Sequence, residues 1–317
     1  MNLYFAPLEG IGGYIYRNAQ ADFFPKADKY FSPFIAPNQN RSFNSRERKD
    51  IDPEHNEKIV LVPQILTNNA EVFIRTVKNL QILGYKEVNL NLGCPSRTVV
   101  TKYRGSGFLA KPEELDHFLE EVFAKTDVRI SLKTRIGIER EEEFEKLNSI
   151  YDKYPLEELI IHPRLQMDYY KNKPHMEIFS KALQISRHRL VYNGDIFSQV
   201  QAEKFHGKYP QVDFVMLGRG VLADPCLFGE LRGTGVLTKD KLKEFHARLL
   251  EDYQAEIPGD KNVLFKMKEL WHYMAHVFTN HEKYAKKIRK AQRLCDYREV
   301  VRRLLAEQEI QPSDFSG

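Results

Sequence analysis

Apolar residues fall along the chain in eight short runs, each followed by a longer stretch of mixed character. The runs cover residues 3–6, 30–35, 59–65, 88–92, 128–133, 158–162, 189–193 and 212–217. Their length and content predict β-strands. Residues 59–65 are nearly unbroken apolar, as in a strand covered on both faces. Residues 88–92 alternate Val88, Leu90 and Leu92 with Asn89 and Asn91, the period of two expected of a strand. Pro33 weakens the second run, because proline cannot donate to a ladder.

The stretches between the runs predict helices over residues 16–24, 70–83, 112–123, 139–154, 174–186, 198–205 and 224–231. Gly84 stands where a C-cap glycine would. Pro112 with Glu113 and Glu114 is a favourable helix start. Residues 41–57 read as a long loop or irregular helix, and 96–107 as a long loop. Eight strands alternating with helices predict an α/β fold, a (β/α)₈ TIM barrel. A doubly wound sheet is the alternative. The first run feeds no G-x-G-x-x-G turn, which counts against it. After residue 235 the strand-like runs stop, and helices are expected over 239–256, 263–278 and 281–307. This divides the chain into a barrel domain, 1–235, and a C-terminal all-α helical domain, 236–317. Leu264, Met267, Leu270, Trp271, Met274 and Phe278 recur at helical spacing and read as bundle core.

Composition narrows the function classes. The 317 residues carry a net charge of +4, and no apolar run approaches the ~20 residues that cross a bilayer. The start Met1-Asn2-Leu3-Tyr4 lacks the basic segment of a signal peptide. Cys94, Cys226 and Cys295 are too few and too scattered for a disulfide framework, and no Cys/His spacing predicts a metal site. Together these read as a cytoplasmic protein with reduced thiols and no membrane partner. No protein partner is implied. The charge is uneven: residues 283–303 hold Lys283, Lys286, Lys287, Arg289, Lys290, Arg293, Arg298, Arg302 and Arg303 against few acids, so this helix is a candidate polyanion surface.

In a barrel the carboxyl ends of all strands share one mouth. Read in order, those ends carry Pro7, Gln64, Asn91 with Cys94, Lys133 with Arg135, His162 with Arg164, Asn193 with Asp195, and Gly218 with Arg219. Gly194 and Gly218 sit after the last two strands, where barrels commonly hold phosphate, and Arg219 can add a bidentate contact. Lys133 can balance negative charge on a reduced ring system. Gln64 and Asn91 offer amides to a planar heterocycle. Flavin mononucleotide (FMN) suits this set, with one phosphate and one polar ring edge. Cys94 lies between Gly93 and Pro95, and the set offers no obvious base to make it a thiolate and no acyl-transfer partner. With an ordinary thiol pKa of ~8.5 it stays mostly protonated at neutral pH and reads as a proton donor.

The segments Ala6-Pro7-Leu8-Glu9-Gly10, Asn91-Leu92-Gly93-Cys94-Pro95, Gly105-Ser106-Gly107-Phe108-Leu109, Lys133-Thr134-Arg135-Ile136-Gly137, His162-Pro163-Arg164, Asn193-Gly194-Asp195-Ile196 and Gly218-Arg219-Gly220 resemble the tRNA-dihydrouridine synthase family in order and spacing. The resemblance spans about residues 1–235, with a looser match over the tail. It implies reduction of the C5–C6 double bond of tRNA uridines by NADPH or NADH through FMN, with Cys94 as the catalytic acid. It further implies that Pro7, Leu8, Glu9, Gln64, Lys133, His162, Asn193, Gly194, Asp195, Gly218 and Arg219 hold the cofactor. Asn91, Arg135 and Arg164 are implied around the uracil or the flavin edge. Lys286, Lys287, Arg289, Lys290 and Arg293 are the expected tRNA contacts. One departure is Leu8-Glu9 where the family usually has Met-Ala. The rival readings are an FMN-dependent barrel oxidoreductase on a small molecule, of the dihydroorotate dehydrogenase kind, and a non-catalytic RNA-binding barrel.

Overall fold

The structure is a computed structural model that describes residues 1–313 and 315. In chain order the elements begin β1 (Asn2–Phe5), α1 (Tyr14–Phe23), β2 (Lys29–Phe31), α2 (Ser45–Asp50), β3 (Leu61–Val62), β4 (Gln64–Ile65), α3 (Ala70–Ile82) and β5 (Glu87–Leu92). They continue α4 (Arg97–Val100), α5 (Pro112–Lys125), β6 (Arg129–Gly137), α6 (Glu143–Tyr151), β7 (Leu159–Leu165), α7 (Met176–Ile185), β8 (Leu190–Asn193), α8 (Gln199–Lys208) and β9 (Phe214–Leu217). Then come α9 (Arg219–Ala223), α10 (Leu227–Arg232), α11 (Lys239–Glu256), α12 (Asp260–Met274), α13 (His281–Lys290) and α14 (Leu294–Glu307). The chain forms two compact units. One comprises residues 1–7, 29–194 and 212–216, and the other residues 8–28, 195–211 and those from Leu217 on.

The first unit holds the strands. Their spatial order is β3-β2-β1-β9-β8-β7-β6-β5-β4. Because β3 and β4 are neighbours in the chain, parted only by Pro63, the two ends of the sheet are one interrupted strand. The sheet therefore closes into an eight-position parallel barrel. Pro63 has no N–H to give the ladder, yet its carbonyl accepts from Asn89 N at 2.9 Å, so closure survives the interruption. Every residue of β5 and β7 is buried, as expected of strands covered on both faces. The second run ends as a strand at Phe31, ahead of Pro33, and Ile35 makes only an isolated bridge to Ile65.

At the amino-terminal end of the barrel a buried ionic cluster joins four strands. Lys29 Nζ lies 2.8 Å from Glu87 Oε1 and 3.3 Å from Glu158 Oε1. Tyr4 donates its hydroxyl to Glu158 at 2.9 Å, and burial together with Glu158 pushes its pKa well up. Burial also raises the Glu158 carboxyl, an effect that Lys29 opposes. Removing the ammonium leaves Glu87 and Glu158 with only the longer ionic contacts of Arg129 at 3.5 Å and Arg189 at 3.9 Å, in a region where charge is costly. Lys29→Met is therefore expected to lose about 2–3 kcal/mol of stability at pH 7. The loss should shrink as the pH falls and Glu158 takes a proton. Urea unfolding at pH 7 and pH 5 checks this, and a loss below about 0.5 kcal/mol at pH 7 would show that the cluster contributes little.

Several predicted elements are redrawn. The helix expected over 139–154 starts later, at Glu143, because the Glu143 carboxylate accepts from the amides of Ile138, Glu139 and Arg140 at 2.8, 3.1 and 2.9 Å and holds them in a turn. Residues 96–107 are not a free loop. They form α4 and enter a 3₁₀ turn over Gly105–Ala110 in which Gly105 to Leu109 are buried. The helix expected over 224–231 starts later, as α10 from Leu227 to Arg232, and a separate short helix, α9, precedes Asp224 and Pro225.

The second unit is helical. α1 meets α11 through Phe245, whose ring stands edge-on to Tyr16 and Phe24. Trp271 Nε1 donates to the Tyr297 hydroxyl at 2.7 Å, and that hydroxyl faces His246 Nε2 at 2.6 Å. Burial brings His246 down to about 4, so its Nε2 accepts the tyrosine proton. The apolar stripe from Leu264 to Phe278 is core, as its spacing predicts. The single helix expected over 281–307 is broken at Ala291, whose ψ of 136° is extended. The Ala291 carbonyl then accepts from Lys268 Nζ instead of continuing the ladder. No helix among the described residues is long and apolar enough to cross a membrane.

Candidate active site at the strand ends

Cys94 follows β5 and is partly exposed, outside any disulfide. Its turn is fastened on every side. Asn91 Oδ1 accepts from both Gly93 N and Cys94 N at 3.0 Å, so the residue before the turn caps it. The Gly93 carbonyl accepts from Arg135 Nε at 2.9 Å. The Cys94 carbonyl accepts from Ser106 N at 3.1 Å and Ser106 Oγ at 2.9 Å. Gly105 makes this close approach possible: it has φ +55°, and a Cβ there would stand 2.7 Å from the Cys94 carbonyl oxygen.

Below the turn a polar ladder crosses the barrel interior. Asn91 Nδ2 donates to Gln64 Oε1, Gln64 Nε2 to Asn89 Oδ1, and Asn89 Nδ2 to Ser131 Oγ, each at 2.8 Å. Gln64 is fully buried. Both amides expected to meet a cofactor or substrate are thus engaged with one another. β5–β6 register places Asn91 opposite Lys133. Lys133 has no hydrogen-bond acceptor and no ion pair among the described residues. Part of its surface stays exposed, but the surrounding protein desolvates the amine and brings its pKa down to about 7. Arg135 adds to this and Cys94 opposes it.

Arg135 is fully buried and spends its donors on backbone: Gly93 O, then Leu165 O at 2.7 Å and Tyr169 O at 2.8 Å. Placed so, it clasps the thiol turn to the end of β7, and it does not stand as the open substrate contact that its side-chain type predicts. Arg164 donates through Nε to Asn172 O at 2.7 Å and through Nη1 to His162 Nε2 at 2.9 Å. A guanidinium can only donate, so His162 Nε2 accepts, and in a neutral ring the proton sits on Nδ1. The segment after β7 exposes Met167, Tyr169 and Tyr170. Asn193 ends β8 and donates to Met216 O at 2.8 Å. A Cβ on Gly194 would meet the Tyr192 hydroxyl at 2.1 Å, so no side chain fits there without rearrangement. Pro7 is half-buried at the end of β1.

The second unit carries the remaining candidates. Leu8 accepts at its carbonyl from Gly12 N at 2.8 Å, which closes the turn, and Glu9 is exposed on it. Arg219 Nη2 donates to Asp195 Oδ1 at 2.9 Å, and its guanidinium lies over the rings of Phe197 and Phe315. Gly218 precedes it at the start of α9. On α13 the side chains of Lys286, Lys287, Arg289 and Lys290 are exposed, and none of the four is in an ion pair among the described residues. Arg293 differs. It makes a two-point pair with Asp296, at 2.9 and 2.7 Å, so much of its charge is already answered. Arg302 and Arg303 are likewise paired, with Glu299 and Glu307. The basic run of the tail therefore differs along its length, unpaired on α13 and mostly answered on α14, where Arg298 donates to neutral Gln254.

Ser106 and Asn89 are site residues that strand-end reading misses. Ser106 lies 12 positions beyond Cys94, and its only signal is the Gly-Ser-Gly setting that permits close backbone approach. Asn89 is visible only as the polar partner of Asn91 in the alternating strand.

A family profile described as dihydrouridine synthase (Dus) matches residues 5–313. The chain is 26% identical to the "Probable tRNA-dihydrouridine synthase 1" of Synechocystis sp. over 231 residues, 71% of this chain and 63% of that protein. It is 28% identical to the "Probable tRNA-dihydrouridine synthase" of Helicobacter pylori, over 66% of this chain and 64% of that one. The matched region thus spans a little under two thirds of these curated relatives. Among solved structures, a variant of NCR from Zymomonas mobilis superposes with TM-score 0.53 at 12% identity, covering 77% of this chain and 90% of that one. Morphinone reductase in complex with tetrahydroNAD gives 0.51 at 14% identity, covering 75% and 88%. At such identities these two likenesses establish the barrel fold alone.

Proposed function

The chain belongs to the dihydrouridine synthase family, and on that premise we propose that it reduces the C5–C6 double bond of selected tRNA uridines in the cytoplasm. The observation that carries this reading is Lys133. It is a desolvated amine within β6, opposite Asn91, held near pKa 7 with no acceptor among the described residues, in the electrostatic reach of Cys94. A buried cation without a partner is costly unless a ligand supplies the counter-charge.

FMN fits the residues present. Lys133 would meet the electron-rich edge of its ring. Gly194, packed too closely against Tyr192 for any side chain, would offer its backbone to the phosphate, and Asp195, Gly218 and Arg219, which follow the two last strands in sequence, belong to the proposed set. Pro7, Leu8, Glu9, Gln64, His162 and Asn193 complete the proposed cofactor set. Bound FMN would supply the hydride, replenished by NADPH or NADH. The chain's own part is the proton. Cys94 donates it to C5 of the uracil and regains one from solvent. Asn91, Ser106 and Arg135 hold the turn that aims the thiol. Lys133 stabilises negative charge beside it. A base must leave the RNA stack to reach such a site.

The α13 face gives the reading its RNA side. Lys286, Lys287, Arg289 and Lys290 present unanswered charge to a phosphate backbone, whereas Arg293 is answered by Asp296 and Arg164 is buried against Asn172 O and His162. Such a face favours tRNA over a small substrate. The test is direct. Purified protein, FMN, NADPH and an unmodified tRNA transcript are incubated, and the digested RNA is weighed by mass spectrometry. A gain of two hydrogens at defined uridines is the expected result. A protein that takes up FMN and oxidises NADPH with small enones, yet never alters the transcript, would be a small-molecule reductase instead.

A further inference from the structure

Ser106 has one hydroxyl proton and two neighbours that ask for it. Its Oγ lies 2.9 Å from the Cys94 carbonyl and 3.1 Å from Gln166 Oε1. A single O–H cannot serve both well. The conflict disappears if the Gln166 amide is turned so that its NH₂ donates to Ser106 Oγ, since oxygen and nitrogen of that group are nearly the same shape. The chain then runs in one direction: Gln166 N–H to Ser106 O–H to the carbonyl of Cys94. Ser106 is fully buried and its backbone N–H meets the same carbonyl, so this is the firmest hold on the residue that bears the thiol.

We propose that Ser106 and Gln166 are positioning residues for the reaction, setting the thiol turn through a directional hydrogen-bond relay from the segment after β7. The inference rests on the reading of Cys94 as proton donor. Gln166 opens the segment that exposes Met167, Tyr169 and Tyr170, and Arg135 ties the same segment to Gly93 through Leu165 O and Tyr169 O. The thiol turn and this segment therefore move as one piece. A load on the exposed side chains is transmitted to the carbonyl of Cys94 through Ser106.

The relay has a polarity, which makes it testable without relying on loss of structure. A carboxylate at position 166 can only accept, so Gln166→Glu draws the Ser106 proton away from Cys94. Gln166→Ala leaves that proton free to stay. Ser106→Ala removes it. Two readouts are used: single-turnover reduction of tRNA uridine by pre-reduced enzyme, and the rate at which iodoacetamide alkylates Cys94 in protein without flavin or RNA. Ser106→Ala and Gln166→Glu should each slow uridine reduction about 10-fold. Both should raise Cys94 alkylation severalfold. Gln166→Ala, which removes the donor to Ser106 Oγ but leaves the Ser106 proton on the Cys94 carbonyl, should slow reduction and raise alkylation by about threefold, clearly less than Gln166→Glu. Reduction of the bound flavin by NADPH should be equal in all four proteins. The proposal falls if Gln166→Glu behaves like Gln166→Ala, or if alkylation of Cys94 is the same throughout. If Cys94→Ala retains full turnover, the donor reading fails, and the alkylation series still decides whether the relay holds the turn.

Discussion

Cys94→Ala lowers uridine reduction about 100- to 10,000-fold, the usual worth of a positioned acid, and leaves flavin reduction by NADPH unchanged. The split follows from where the thiol stands. Its turn is held at Gly93 N and Cys94 N by Asn91, at Gly93 O by Arg135 and at Cys94 O by Ser106. All of these contacts are to backbone, so the alanine variant keeps the turn and loses only the acidic proton. Cys94→Ser should recover little, because an alcohol is a far weaker acid than a thiol. Rapid mixing of pre-reduced enzyme with tRNA separates the two half-reactions. Full turnover in the alanine variant would hand the proton to another donor, with His162, protonated on Nδ1, the first to examine.

The barrel is legible in the sequence because its strands are buried on both faces. Run 59–65 is nearly unbroken apolar and stands out against amphipathic helices, while 88–92 is found by its alternation. Closure is less legible. It depends on Pro63 splitting one strand while leaving its carbonyl to Asn89, which a pattern cannot show. The break at Ala291 is invisible for a similar reason. Tyr284, Ile288, Ala291 and Leu294 keep helical spacing across it, with no glycine or proline, and the compensating donor, Lys268, comes from another helix.

In the site, residue types are informative and partners are not. Pattern reading puts Gln64, Asn91, Lys133 and Arg135 at the strand ends; the structure keeps Asn91 near the end of β5 but extends β6 to Gly137, so Lys133 and Arg135 lie within that strand. What each side chain faces depends on neighbours distant in sequence. Arg135 reads as a substrate contact until Leu165 O and Tyr169 O claim its guanidinium. Arg293 reads as an RNA contact until Asp296 answers it. Asn91 reads as a ligand amide until two backbone N–H groups take its oxygen. Lys133 is the opposite case, an amine without an acceptor among the described residues.

That isolation sets the second large effect. Lys133→Met should abolish uridine reduction and, at the same time, stabilise the flavin-free protein. Desolvation first, and then Arg135, bring the Lys133 amine from 10.5 to about 7. A lysine depressed in the folded state burdens that state while it is charged. The burden is full below pH 7 and fades as the pH climbs from 7 towards 10.5, where the unfolded amine also loses its proton. Wild-type stability should therefore rise across that window, and the methionine variant's should stay flat. At pH 6 the gain is on the order of 3 kcal/mol, after allowance for the solvent that still reaches the amine. An anionic ligand reverses the balance by preferring the charged amine. FMN should then bind with constant affinity below pH 7 and more weakly above it, by up to about tenfold per pH unit. Calorimetric melting of flavin-free protein at pH 6 and pH 9, with FMN titrations at the same pH values, checks both halves. A methionine variant that melts below the parent at pH 6 would mean that Lys133 already has its counter-charge inside the folded chain. The case for a ligand there would fall with it.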